Sequence, residues 1–158
     1  MALLELAAHR LELMQRTATV AIVGMSPDPS RASHFVATYL AGKTDWTVWY
    51  VNPRETEILG RPVYPSLAAL PRPPDLVDVF RRIDDLPSVV DESISAGAGA
   101  VWFQLGLAHD DAAATASSAG LDVVQDRCLK IEHARFAGGL HTAGFVTGVL
   151  DSRRTKLI

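Results

Sequence analysis

The chain has a single cysteine, Cys128, among its 158 residues. It cannot close an internal disulfide, and a lone thiol without clustered histidines excludes a zinc cluster. His9, His109 and His141 have no metal-like spacing, and His34 falls inside a helical pattern. Long apolar runs are missing too. None approaches the ~20 residues of a membrane span. Glu5, Arg10, Glu12 and Arg16 interrupt the apolar N-terminus, which excludes a signal-peptide core. There is no basic excess: the net charge is −3, which argues against a nucleic-acid partner. Internal repeats and low-complexity segments are also lacking. These absences leave a cytoplasmic protein in a reducing compartment as the expectation, with no membrane contact.

What is present is the balance of a folded protein. Hydrophobic residues make up 48% and charged residues 21%, which separates the chain from disordered sequences. Its length suits one domain. Residues 1–16 carry helical spacing, with Leu4, Ala7, Ala8, Leu11 and Met14 on one face. Residues 17–136 form the predicted domain, and 137–158 a glycine-rich, basic-ended tail. The helix and the tail are the candidate surfaces for a protein partner or a second copy of the chain.

Within the domain, strand and helix patterns alternate. Thr19-Val20-Ala21-Ile22-Val23 is a continuous β-branched and apolar run, as in a strand buried on both faces. A helix is predicted from Ser33 to Ala41, with Gly42 as its C-cap and Ser30 or Ser33 as its N-cap. Trp46–Val51 is the second strand, and Asn52-Pro53 ends it. Ile58–Tyr64 reads as short and irregular, with a turn at Gly60. Ser66 is the expected cap of a short helix through Leu70. Asp75–Phe80 is the third strand. A helix capped by Asp84 or Asp85 follows, with Pro87 in its first turn. Ala100–Gln104 is the fourth strand, Asp110–Ala119 a helix ended by Gly120, and Leu121–Val124 the fifth strand. Such alternation predicts an α/β fold: a Rossmann-like, doubly wound parallel sheet of about five strands in the order 3-2-1-4-5, with helices on both faces.

Ligands of such sheets bind at the carboxyl ends of the strands, beside the switch point, expected here between the first and fourth strands. Arg31, Arg54, Arg81, Arg82 and Arg127 all fall on that edge, a third of the 15 lysines and arginines. Arginine forks bind phosphate oxygens in pairs, so the rim predicts an anionic ligand with more than one phosphate. The loop after the first strand adds Gly24 for a tight turn and the hydroxyls of Ser26, Ser30 and Ser33 near a helix N-terminus, a favourable place for an anion. Gln104 follows the fourth strand. The G-x-G-x-x-G fingerprint of dinucleotide binders is absent, with Ser26 and Pro29 in place of its later glycines. The second strand ends in Asn52-Pro53-Arg54, without the carboxylate that holds an unphosphorylated ribose. An adenosine with a phosphorylated ribose fits better. Coenzyme A and NADP both carry one.

Six segments in order carry a resemblance: Val23–Arg31, Val51-Asn52-Pro53-Arg54, Ile58–Leu67, Asp75–Arg82, Trp102–Gly106 and Asp126–His133. Over roughly residues 17–136 they resemble the stand-alone bacterial CoA-binding domain proteins, which are similar to the N-terminal CoA-binding domain of the succinyl-CoA synthetase alpha subunit. The resemblance implies that Gly24, Met25, Ser26 and Pro27 cover a pyrophosphate, with Arg31 and Ser33 behind. It implies that Asn52, Pro53 and Arg54 meet the adenosine, and Val79, Phe80 and Arg81 the nucleotide or pantetheine arm. Gln104 and Arg127 complete the candidate site. The implied ligand is coenzyme A or an acyl-CoA. No catalytic residue is assigned, because the synthetases' phosphorylated histidine lies in a later domain that has no counterpart here.

The expected role is therefore a non-catalytic binding or regulatory module. The alternatives are an NADP-dependent oxidoreductase fragment or a subunit of an acyl-CoA synthetase-type complex. Cys128, beside Arg127 and Lys130 and five residues before His133, has two readings: a reactive thiolate, or a small apolar residue.

Overall fold

The computed structural model describes residues 3–137; the predicted tail beyond Ala137 lies outside the described residues. The elements follow in chain order: α1 (Ala7–Arg16), β1 (Thr19–Val23), α2 (Ala32–Lys43), β2 (Thr47–Val51), β3 (Glu57–Ile58), β4 (Arg61–Tyr64), β5 (Leu76–Val79), α3 (Leu86–Ser95), β6 (Ala100–Phe103), α4 (Asp110–Ser118), β7 (Asp122–Val124) and α5 (Leu129–Ala137). One mixed sheet runs β3-β4-β2-β1-β5-β6-β7. All its pairs are parallel except β3 with β4.

The five predicted strands are all present, but their order is corrected. In the predicted count they run 2-1-3-4-5, and β1 pairs with β5 rather than with β6. The outer place beside β2 belongs to β4, inside the Ile58–Tyr64 stretch that reads as irregular from sequence. The first switch point therefore lies between β1 and β5.

Strands β1, β5 and β6 are buried along their whole length, as their mainly apolar sequences require. One face packs Val20, Ile22, Tyr50, Leu76 and Trp102 against α1, α2 and α5. The other packs Ala21, Val77, Val101 and Phe103 against α3 and α4. Ahead of α1, the Leu4 amide donates to Val123 O (2.7 Å), so the start of the described chain covers the β7 edge.

Local expectations are corrected in several places. Helix α1 begins at Ala7, and its buried face is Ala7, Arg10, Leu13 and Met14; Ala8 is exposed. Helix α2 runs through Gly42 and ends at Thr44, whose hydroxyl and amide both reach Leu40 O. Neither Ser30 nor Ser33 is its N-cap; Arg31 holds that position without a side-chain bond. Asp85 precedes α3 but makes no capping bond, and neither does Ser66 ahead of its short helix. Helix α5 was not predicted at all.

One strand residue breaks the apolar rule. Asp78, in the middle of β5 beside Ile22 and Trp102, is fully buried. Neither of its carboxylate oxygens has a hydrogen-bond partner among the described residues. Burial pushes its carboxyl well above the usual carboxylate range. The folded chain therefore holds a proton that the unfolded chain releases above about pH 4. Its contribution to stability is full below that pH and is lost as pH rises toward the folded-state value. Asp78→Asn is expected to remove this loss. The stability gap between variant and wild type then widens in favour of the variant from about pH 4 upward, measured as denaturant midpoints between pH 4 and 8. A gap independent of pH would contradict a neutral Asp78.

Candidate ligand-binding site

The carboxyl ends of β2, β1, β5 and β6 open on a cavity of about 840 Å³. The loop after β1 forms its floor. Gly24 has φ +85°, and its amide donates to Val51 O (3.1 Å). A Cβ there would overlap the Phe80 carbonyl, so glycine is required where the backbones of β1 and β5 meet. The loop then fastens itself to α2: the Ser26 amide donates to Ser33 Oγ (3.0 Å), and the Asp28 amide to Ser26 Oγ (3.1 Å). Asp28 accepts from the Ser30 amide (2.9 Å) and hydroxyl (2.8 Å). These bonds hold its carboxyl below the usual range.

Helix α2 starts at the cavity wall, where Arg31, Ala32 and Ser33 line it. The helix has no side-chain cap, so its first-turn amides and dipole favour an anion there. From β2, the Asn52 side-chain amide donates to Met25 O (2.8 Å), and its Oδ1 accepts from the Arg54 amide (2.8 Å). Asn52 thus ties the loops after β1 and β2 together. Arg31 and Arg54 are exposed and form no ion pair among the described residues. Arg81 also lines the cavity, and one of its guanidinium nitrogens lies 3.4 Å from Asp85.

The predicted residues divide on this geometry. Gly24, Ser26, Arg31, Ser33, Asn52, Pro53, Arg54, Phe80, Arg81 and Gln104 line the cavity. Met25, Pro27, Val79 and Arg127 are not among its lining residues. Met25 is fully buried and packs with Ile22, Val79 packs in the opposite core, and Pro27 is exposed on the loop. Arg127 is 7% exposed, donates to Asp126 O (2.8 Å) and lies 3.7 Å from Glu132.

Sequence reasoning missed Ala32, Leu107, Ile131 and the lining roles of Leu105 and Cys128. The available signal was two leucines flanking Gly106 just past a strand end, of which Leu107 packs in part against the core and Leu105 stays exposed. Gln104 Oε1 accepts the Leu129 amide (3.1 Å) and so fixes the start of α5 against β6. His133 is turned toward α2, with Nδ1 2.9 Å from the Tyr39 hydroxyl and its ring against Trp46. Burial lowers its pKa.

Among the described residues no group of three or more histidine, cysteine, aspartate or glutamate side chains is placed to hold a metal ion. No described helix is long and apolar enough to cross a membrane.

Known proteins are similar to this chain in sequence and fold. The uncharacterized protein YneT of Bacillus subtilis is 36% identical over 123 residues, which are 78% of this chain and 90% of that protein. A solved hypothetical protein from Pyrococcus horikoshii superposes with a TM-score of 0.79 at 34% identity, covering 86% of this chain and 96% of the other. An ADP-forming acetate–CoA ligase of Archaeoglobus fulgidus is 34% identical over 73 residues, 46% of this chain but only 10% of the ligase. The sequence profile of the CoA binding domain matches residues 18–134, from the start of β1 into α5 and so across every loop that lines the cavity; the chain belongs to that family.

Proposed function

We propose that the chain binds coenzyme A or a CoA thioester, as a binding or regulatory module. In this reading the pyrophosphate lies on the Gly24–Ser33 loop and the α2 N-terminus, and the phosphorylated ribose lies beside Arg54. The observation that carries the reading is a cavity edged by Arg31 and Arg54, two exposed guanidinium groups outside any described ion pair, at the start of an uncapped helix. Family membership favours CoA over NADP, which offers the same ribose phosphate chemistry. The ligase of Archaeoglobus supports CoA binding by this segment, not ligation, since the shared stretch is a tenth of that enzyme.

Arg54→Ala tests the arrangement by calorimetric titration with CoA and dephospho-CoA. A lost charge-assisted bond to phosphate lowers CoA affinity by roughly tenfold to a hundredfold. The expected result is that loss for CoA and little change for dephospho-CoA. Equal losses for both would remove Arg54 from the ribose phosphate.

A further inference from the structure

The cavity changes character along the sheet. At its β2 and β1 end stand Arg31, Arg54, Asn52 and the serine hydroxyls of the first loop. Three strand steps away, about 14 Å at the usual spacing, lies the β6 end. There the lining is Gln104, Leu105, Leu107, Cys128 and Ile131, with Phe80 and Arg81 one strand nearer at the end of β5. Leu105 is 48% exposed, on a turn that Gly106 makes at φ +88°. Leu105 is the exposed member of this end, while Leu107 and Cys128 pack in part against the core; an exposed leucine continuous with the phosphate-binding end is a cost to the free protein unless a ligand covers it.

The charges at this end are equally informative. The nearest arginine in sequence, Arg127, is buried and held by Glu132 and backbone carbonyls. The charged side chain that reaches the Leu105–Leu107 turn is Asp126, whose Oδ1 accepts the Gly106 amide (2.8 Å). A carboxylate carried by the ligand would meet Asp126 past the end of β6; the cation of the lining on that side, Arg81, stands one strand away at the end of β5, 3.4 Å from Asp85.

We infer that the β6 end receives the acyl group of a CoA thioester, and that the favoured acyl group is short and uncharged. This rests on the CoA reading above and adds the class of thioester. The adenosine end is anchored at β2, the pantetheine arm crosses β1 and β5, and the acyl chain covers Leu105, Leu107 and Ile131.

The test is calorimetric titration of the full chain with CoA, butyryl-CoA and succinyl-CoA, in wild type and in Leu105→Asp. Half-burial of the extra acyl carbons is worth about twofold each, so butyryl-CoA is expected to bind roughly tenfold tighter than CoA. Succinyl-CoA, with its terminal carboxylate near Asp126, is expected to bind more weakly than butyryl-CoA. In Leu105→Asp the ratio of butyryl-CoA to CoA affinity should fall to about one. Equal affinity for CoA and butyryl-CoA in the wild type, or tighter binding of succinyl-CoA, would overturn the inference and leave CoA binding intact. Failure of all three ligands to bind would overturn the CoA reading itself.

Discussion

Gly24→Ala is expected to destabilise the folded chain by roughly 3–5 kcal/mol and to abolish ligand binding. Two costs add. Gly24 sits at φ +85°, where a side chain strains the backbone. Its new Cβ would also overlap the Phe80 carbonyl, which belongs to backbone and cannot swing aside. The Phe80 amide is itself held by Val23 O (2.8 Å), so relief requires the ends of β1 and β5 to separate. That separation opens the cavity floor at the switch point. Denaturant unfolding reads the first effect and calorimetric titration the second. A midpoint unchanged from wild type would show that the two strand ends are not locked together there.

Glu132→Ala is the second large effect. Glu132 is fully buried on α5, with Oε1 3.4 Å from Arg10 Nε and 3.7 Å from Arg127 Nε. Arg10 comes from α1 and also donates to Glu5 O (2.6 Å). Removing the carboxylate leaves positive charge in a dry interior, at a cost of roughly 3–5 kcal/mol. Replacing Arg10 as well, Arg10→Leu with Glu132→Leu, is expected to recover part of that loss, the part due to the charge left on Arg10, while Arg127 still lacks its carboxylate. Urea midpoints of the single and double variants measure this. A double variant as unstable as Glu132→Ala would show that the charge left on Arg10 is not the source of the loss. Because Cys128 and Ile131 at the start of α5 line the cavity, the single variant should also bind CoA less tightly.

The same pair explains why α5 was illegible in the sequence. Its buried positions are Leu129, Glu132 and Phe136, so a charge stands where helical periodicity needs an apolar residue. Arg10 does the same to α1. Each charge reads as solvent-facing until its partner is seen, and the two lie far apart in sequence. The hairpin of β3 and β4 was hidden differently. Its two-residue turn is Leu59-Gly60, with φ of 52° and 72°, and leucine is not a residue that announces such a turn. Missing β4 misplaced the third strand of the predicted order. By contrast, β1, β5 and β6 were legible because burial on both faces leaves a mainly apolar run, even with Asp78 inside β5.

At the site, the sequence revealed the cationic end and hid the apolar one. Arginines past strand ends point to an anion wherever the loops finally lie. An exposed leucine in a loop, Leu105, carries no such meaning until the cavity brings it beside Leu107 and Ile131. Arg127 was misleading for the converse reason: a rim position by sequence, but a buried partner of Glu132 in the fold.

Direct calorimetric titration of the purified chain with CoA, dephospho-CoA, NADP and NAD, under reducing conditions, tests the central claim. The account predicts saturable binding of CoA, weaker binding of dephospho-CoA, and no comparable binding of NADP or NAD. Binding of NADP in preference to CoA would contradict it and assign the arginine-edged cavity to a nicotinamide nucleotide.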